Sequence, residues 1–584
     1  MNYSRQQYFD FLERELIAQN DDFLTKVQSP AIHLLEVDGE MFLGKFLGVK
    51  NGQAILKMSN KRGLPRKGTH LNALVLPSDL RNYHNWNKLT YGDLTKQQDC
   101  NCELACVWYG KSDEDNFSLV GFTGLTTHFF ERIKSVKGII LVLGPQVPPS
   151  EMLFNLQKIV QDTSCQQAND VLDADFEEKP WQPIALDARG NLVSFMIQQL
   201  NFSNTAILQG PPGTGKTTLI AGICQELIQQ GKSVLVSAMT NRALIEIAAK
   251  NELSEAVKSG LVRKTNLTLD EAEEVIGLKA AKDFCPISGQ LLLSTNYITS
   301  CAAVDGIPEC GFDYVIMDEA SQAILPMFAA ASRLGVNQLW VGDIKQLAPV
   351  SLVHEKVLQK YNFGGILDGF KTLSTQSSVP NYQLTASYRL TNRSATYTNF
   401  FYDGSLKSKN EVRINPQLPK LFHRDGGPSL ITMDLPQMFA PNEILAATVM
   451  TVSAIYKACP NANVAVLSCF KETAKHIHRA LLEYGLLHKN LLVDTIARVQ
   501  GLTTDFTIFV IPNTSLIRSL EPRLFNVATS RALMNTIIIA DTNIVRNCRN
   551  ENVRRFMATL ENDREAHIHL NSQADLQLIE QTQN

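Results

Sequence analysis

The chain has 584 residues, 44% of them hydrophobic and 19% charged, with a net charge of −3. That length predicts three or four domains of roughly 100–200 residues, and the near-neutral balance excludes a uniformly basic or acidic protein without excluding a local basic channel. No apolar run approaches the roughly 18 residues a membrane span needs, and MNYSRQQYFDFLERELIAQ lacks the apolar core of a secretory leader, so a cytoplasmic address and no membrane partner are expected.

Residues 1–30 carry Tyr8, Phe9, Leu12 and Leu16 at helical spacing, which predicts an opening amphipathic helix. From 31 to 147 the texture changes to short β-rich runs such as MFLGKFLGV, AILKM, NALVL and GIILVLG, the pattern of a small barrel or sandwich. Within it, DCNCELAC brings Cys100, Cys102 and Cys106 together, to be read either as part of a metal site or as buried or edge thiols. The stretch Asn51–His70 contains Lys57, Lys61, Arg62, Arg66 and Lys67 with no acid, either a phosphate-gripping loop or a solvated face. Helical spacing returns in 148–184, which ends in the linker-like EEKPWQPIALD.

Residues 185–372 alternate apolar strands with helices, the texture of a parallel sheet with crossover helices, apart from an irregular segment from about 351. A second alternating region covers 373–562, and 563–584 is a polar tail expected to fray.

The strongest chemical signal is GPPGTGKT, Gly210–Thr217, after the strand AIL and before a helix. Gly210, Pro211, Gly213, Thr214, Gly215, Lys216, Thr217 and Thr218 form a phosphate cradle: the glycines let backbone N–H groups wrap phosphates, Lys216 reaches the β and γ groups, and the Thr217 hydroxyl ligates Mg2+. About a hundred residues on, VIMDEASQAILP drives an apolar strand into two adjacent acids. An ATPase needs one acid for Mg2+ and one group to orient water; Asp318 suits the first role and Glu319 the second. In VGDIKQLAPV, Gln346 is placed to sense a γ-phosphate. LTASYRL and FNVATSRA carry Arg389 and Arg531, suited to neutralising a transferring phosphoryl group. DTIARVQGLTTDF adds Gln500 and Gly501.

In this order, LQGPPGTGKTT, VSAMTNRA, LLLSTN, MDEASQA, VGDIKQLAPV, LTASYRL, VDTIARVQG and NVATSRA resemble the superfamily 1B helicases, closest to the up-frameshift (nonsense-mediated decay) and immunoglobulin mu-binding helicase group. The resemblance covers roughly Leu186–Ile544, and the chain is read as a compact bacterial member. It implies an α/β fold of two RecA-like P-loop domains, with a small N-terminal β-barrel and stalk helices. ATP would sit between the two domains and a single strand, DNA or RNA, would cross their top. Carried over by position, Arg389 and Arg531 would be arginine fingers and Tyr388 would pack on the adenine. Thr240, Asn241, Ser294, Thr295, Pro349 and Thr495 would touch the nucleic acid backbone.

The chain departs from the family pattern at Ala497, Arg498 and Val499, where Asp, any residue and Phe are usual before Gln-Gly. Thr503 stands where an acid usually binds a ribose hydroxyl, and the adenine-reading Gln has at best Asn191 in its place. The expected activity is ATP-dependent 5′ to 3′ translocation or unwinding. The alternative is a nucleic-acid-stimulated switch that remodels or recruits a partner. No cluster of Asp, Glu and Lys for metal-dependent cleavage is found after NVATSRA, so any nuclease, repair or defence protein is expected as a separate partner.

Overall fold

The computed structural model describes every residue except 1, 66–67, 115, 135, 137, 178–181, 187–189, 306–310, 412–413, 416, 489, 500, 513–516, 572 and 581–584. The chain forms two compact units, Glu13–Ser150 and a larger one made of Met1–Leu12 with Glu151–Asn584. The helix Arg5–Gln28 begins in the larger and ends in the smaller.

The smaller unit is a closed antiparallel barrel, as expected. Its strands are β1 (Phe42–Lys50), β2 (Gln53–Ser59), β3 (His70–Val75), β4 (Cys100–Lys111), β5 (Phe117–Thr123) and β6 (Ile140–Gly144), in the order β1-β2-β5-β4-β3-β6. Period-two alternation turns Ala54, Leu56 and Met58 inward with Leu104, Val120 and Phe122. The closed form leaves no edge strand to pair with a neighbour. Cys102 and Cys106 are among these inward residues; the Cys102 thiol donates to the Gly124 carbonyl at 3.2 Å. Lys57 is ion-paired with Glu114 and lies 4.9 Å over the Phe117 ring, so part of the basic stretch is neutralised within the barrel. Arg66, Lys67 and the Arg62 side chain lie outside the described residues.

Trp108 lies across Gly121 of the adjacent strand, its indole N–H donating to Gln53 Oε1 at 2.6 Å. A Cβ on Gly121 would stand 2.1 Å from the indole nitrogen. Gly121→Ala is therefore expected to cost about 1–3 kcal/mol of overpacking, read as a lower barrel melting temperature. An unchanged melt would mean that the ring shifts freely.

The larger unit holds two parallel sheets. The first contains β7 (Ile184–Leu186), β8 (Thr205–Gln209), β9 (Val234–Ala238), β10 (Val262–Lys264), β11 (Lys279–Ala280), β12 (Leu291–Thr295), β13 (Phe312–Met317), β14 (Gly335–Gly342) and β15 (Asn381–Leu384). Their order is β11-β10-β12-β9-β13-β14-β8-β15-β7. A short parallel pair follows, β16 (Ala386–Ser387) with β17 (Lys407–Ser408). The second sheet contains β18 (Gly427–Met433), β19 (Val464–Ser468), β20 (Leu491–Thr495), β21 (Thr504–Val510), β22 (Ala532–Asp541) and β23 (His567–Leu570), ordered β20-β19-β21-β22-β18-β23. Strands here are apolar on both faces because helices cover both: Leu467, Phe509 and Ile538 enter one core, Val466, Ile508 and Ile539 the other.

The helices Glu151–Gln161 and Gln166–Leu172 pack against Asn296–Val304 and Leu325–Ser332 of the first RecA-like domain. The amino terminus joins them there: Tyr8 donates to the Leu172 carbonyl at 3.1 Å, and the Phe11 ring lies 5.6 Å from that of Phe363.

Two expected boundaries move. The first sheet extends to Leu384, because the short run NYQL inserts as β15 between β8 and β7, so the crossing into the second domain comes after residue 372. The described part of the expected polar tail is ordered: β23 pairs with β18, turning Ile568 and Leu570 into the core while His567 and His569 reach the Thr432 hydroxyl. The segment from 351 is likewise ordered, with helices Glu355–Lys360, Gly364–Leu367 and Gly369–Gln376 burying Ile366 and Phe370. Among the described residues no helix is long and apolar enough to cross a membrane.

Candidate active site

In an open parallel sheet the loops at the carboxyl ends of the strands gather ligands, and the phosphate loop leaves β8 at that end. Gly213 (φ +71°) and Gly215 (φ +80°) take the left-handed turns that bring successive N–H groups inward before the helix Lys216–Gln229. A Cβ on Gly210 would stand 2.2 Å from Lys216 Cγ, so glycine there leaves the lysine its path. Lys216 Nζ donates to the Gly210 carbonyl, and Thr214 Oγ1 donates to the Pro211 carbonyl at 2.8 Å. Burial pulls the Lys216 pKa down, opposed by Asp343 and Asp318.

The acid pair leaves β13, two strands away. Asp318 is 4% exposed, and its carboxylate accepts the Glu319 N–H at 2.8 Å. Glu319 adopts φ +51°, a left-handed conformation costing a non-glycine residue on the order of 1–3 kcal/mol. That turn holds its carboxylate where Gln322 Nε2 donates to it at 3.3 Å. Burial pushes Asp318 up to about 6 and Glu319 up to about 7, with the Asp318 and Glu246 charges adding to the Glu319 shift. Lys216 opposes both shifts and Arg531 opposes that of Glu319, yet none of these closes an ion pair among the described residues. Hard carboxylate oxygens, buried and lacking a bonded cation, are the donor set a Mg2+ ion satisfies. Thr217 stands in the first turn of the helix after the loop.

The second domain reaches this site at several points. Tyr388 N donates to the Gly213 carbonyl at 2.8 Å, and Ser387 Oγ to that of Pro212 at 2.8 Å, fastening this segment to the phosphate loop. Tyr388 is 57% exposed. Arg389 donates to Thr503 Oγ1 at 2.6 Å and to the Ser530 carbonyl at 3.2 Å, so the residue replacing the usual acid holds the arginine. Arg531, 1% exposed, donates through Nη2 to Gln346 Oε1 at 3.3 Å, and Gln346 in turn donates to Asp343 at 2.7 Å. Burial pulls the pKa of both arginines down, and each lies in the field of Glu246. Gly501 (φ +83°) lies against the acids: a Cβ there would be 3.4 Å from Glu319 Oε1 and 3.8 Å from Glu246 Oε2.

Glu246 was not singled out from the sequence. It is a third carboxylate at this site, on the helix Asn241–Ala248, and the signal for it was its place one turn and a half past the strand-end Thr240.

The remaining expected residues fall in three groups. Thr240 and Thr295 cap the helices after β9 and β12, their hydroxyls accepting the N–H of Ala243 and Ile298, and Asn241 is exposed beside Thr240. Pro349 follows β14 and Thr495 ends β20, so these too lie past carboxyl ends of strands. Ser294 is a correction: it is fully buried and accepts from Thr265 Oγ1 at 3.2 Å, turned away from any surface strand. Asn191 uses its side-chain oxygen to accept the Ser194 N–H at 3.2 Å, and Gln500 lies outside the described residues.

A phosphate loop and acid pair on one RecA-like domain, faced by two arginines from the other side of the cleft, define a two-domain P-loop nucleoside-triphosphatase. Models of two families, each described as an AAA domain, match residues 196–352 and 368–543. The chain is 33% identical over 214 residues to the DNA replication ATP-dependent helicase/nuclease DNA2 of Saccharomyces cerevisiae, covering 35% of this chain and 14% of that one. It is 22% identical over 401 residues to the Drosophila melanogaster regulator of nonsense transcripts 1 homolog (58% and 33%) and 26% identical over 419 residues to that of Neurospora crassa (61% and 37%). The chain thus spans well under half the length of these relatives. An arterivirus nonstructural protein 10 helicase aligns with a TM-score of 0.38 at 12% identity, over 89% of this chain and 83% of that one. The chain belongs to the superfamily 1 helicases, in the up-frameshift-like group.

Proposed function

We propose that the chain is an ATP-driven translocase or helicase on single-stranded DNA or RNA, moving 5′ to 3′ in the cytoplasm. The observation that carries this reading is the meeting of Arg389 and Arg531 with the phosphate loop and acid pair across one cleft. Lys216 and the loop N–H groups hold the β- and γ-phosphates, and Glu319 orients water and accepts its proton. Thr217 and Asp318 would hold Mg2+, which would supply neutralising charge beside the phosphates. Arg389 and Arg531 stabilise charge on the transferring group, Gln346 registers its presence, and Tyr388 covers the base.

Thr240, Asn241, Thr295, Pro349 and Thr495 are the proposed strand contacts. Hydroxyls, an amide and a proline suit a motor because they grip sugar and phosphate without reading sequence. The relatives' names include both a DNA replication enzyme and regulators of transcripts, so DNA and RNA are both carried forward.

The test is phosphate release by the purified protein with matched single-stranded DNA and RNA. Stimulation several-fold by either is expected, and the stronger arm names the substrate. No stimulation by either overturns the motor reading. Stimulation without strand separation on a tailed duplex favours a translocase or a partner-remodelling switch over a helicase.

A further inference from the structure

The residues flanking Gln346 are held by the second domain. Leu347, 9% exposed, belongs to the second domain's core with Tyr397, Phe401 and Tyr402. Tyr402, at the end of the helix Asn392–Tyr402, donates to Asp343 Oδ2 at 2.6 Å, the same oxygen that accepts Gln346 Nε2 at 2.7 Å. Asn526, on the helix Pro522–Thr529, donates to the Tyr402 oxygen at 2.9 Å and to the Lys345 carbonyl at 2.8 Å. Five residues later on the same run stands Arg531, which donates to Gln346. Tyr402 is 2% exposed, Asn526 fully buried and Asp343 3% exposed. Burial and the adjacent Asp343 push the Tyr402 pKa well up, so its hydroxyl stays a donor. At the rim, Arg523 and Asp368 form a second crossing at 2.6 Å.

We propose that Tyr402 and Asn526 are positioning residues for phosphate sensing: they bind the loop Asp343–Leu347 of the first domain to the second, so that Gln346 and Arg531 move as one piece. The proposal rests on the assignment of Gln346 and Arg531 to the γ-phosphate made above.

The physical ground is that a buried polar bridge is costly to leave half made. Tyr402 serves as acceptor for one partner and donor for the next, so loss of one oxygen breaks both links. With the bridge intact, the loop cannot turn Gln346 without moving the helix that leads to Arg531. With the Tyr402 oxygen removed, Asp343 and Gln346 lose that link to the second domain, while the Asn526–Lys345 bond at 2.8 Å, the Leu347 packing and the Arg531–Gln346 bond at 3.3 Å remain.

Tyr402→Phe keeps the ring and its packing and removes only that oxygen. The expected result is a kcat for strand-stimulated turnover lowered about ten- to a hundredfold, the scale of a lost positioning contact. KM for ATP should change less than about threefold, because Lys216 and the loop N–H groups are untouched. Amide hydrogen exchange at Lys345–Leu347 should rise at the same time, a readout independent of turnover. Asn526→Ala, which leaves the Tyr402–Asp343 bond, should show the same pattern more weakly and guards against a folding defect in the first variant. Wild-type kcat and unchanged exchange in both variants overturn the proposal. So does a fall in kcat that follows a matching fall in melting temperature. A wild-type protein without ATP turnover overturns the underlying site reading, and this proposal with it.

Discussion

Lys216→Ala should leave the chain folded and reduce ATP turnover by at least about 10²–10³-fold, the scale of removing one preorganised donor at developing charge. Lys216 Nζ is hydrogen-bonded to the Gly210 carbonyl alone among the described residues, and the glycines that set the loop's turns are unaffected. The alanine therefore removes one part-buried cation and a single hydrogen bond, to the Gly210 carbonyl. Phosphate release at saturating ATP with a single strand, beside a thermal melt, separates the two effects. Wild-type turnover would remove the phosphate loop from the mechanism. A collapsed melt would mean that the lysine holds the loop together.

Glu319→Gln should lose turnover about 10²–10⁴-fold, the contribution typical of a general base, while still binding ATP and the strand. The amide occupies the volume of the carboxylate, and its oxygen still accepts from Gln322 Nε2. It removes a buried acid whose pKa is pushed up to about 7, so the variant should melt no lower than the wild type without nucleotide. ATP and strand should become trapped together, seen as slow release in a binding assay. Hydrolysis at the wild-type rate would place the base elsewhere; Glu246, beside Gly501 and in the field of Glu319, is then the next carboxylate to replace.

What could be read before the structure was local. GPPGTGKT and MDEA each encode their geometry within a few residues, because glycine at Gly213 and Gly215 and two acids after an apolar strand leave few conformations to choose from. The barrel and the two parallel sheets followed from the switch between period-two runs and strand–helix alternation. What escaped depends on partners far apart in the chain. Ser294 was expected on the nucleic acid only through the family resemblance, but it is fully buried and accepts from Thr265, which follows the neighbouring β10. The run HIHL looked too short and polar for a strand until β18 offered an edge and the core took Ile568 and Leu570. Glu246, Tyr402 and Asn526 carried no motif of their own. Their meaning comes only from the closure of one domain on the other.

The fastening of Ser387 and Tyr388 to Pro212 and Gly213 has a mechanical consequence. The chain passes from the first sheet to the second domain just here, between the end of β15 and the helix Asn392–Tyr402. The fulcrum of the two lobes is therefore bolted to the fuel site itself. A tilt of the loop around its phosphates would be passed directly to the second sheet, whose edge strand β20 carries Thr495.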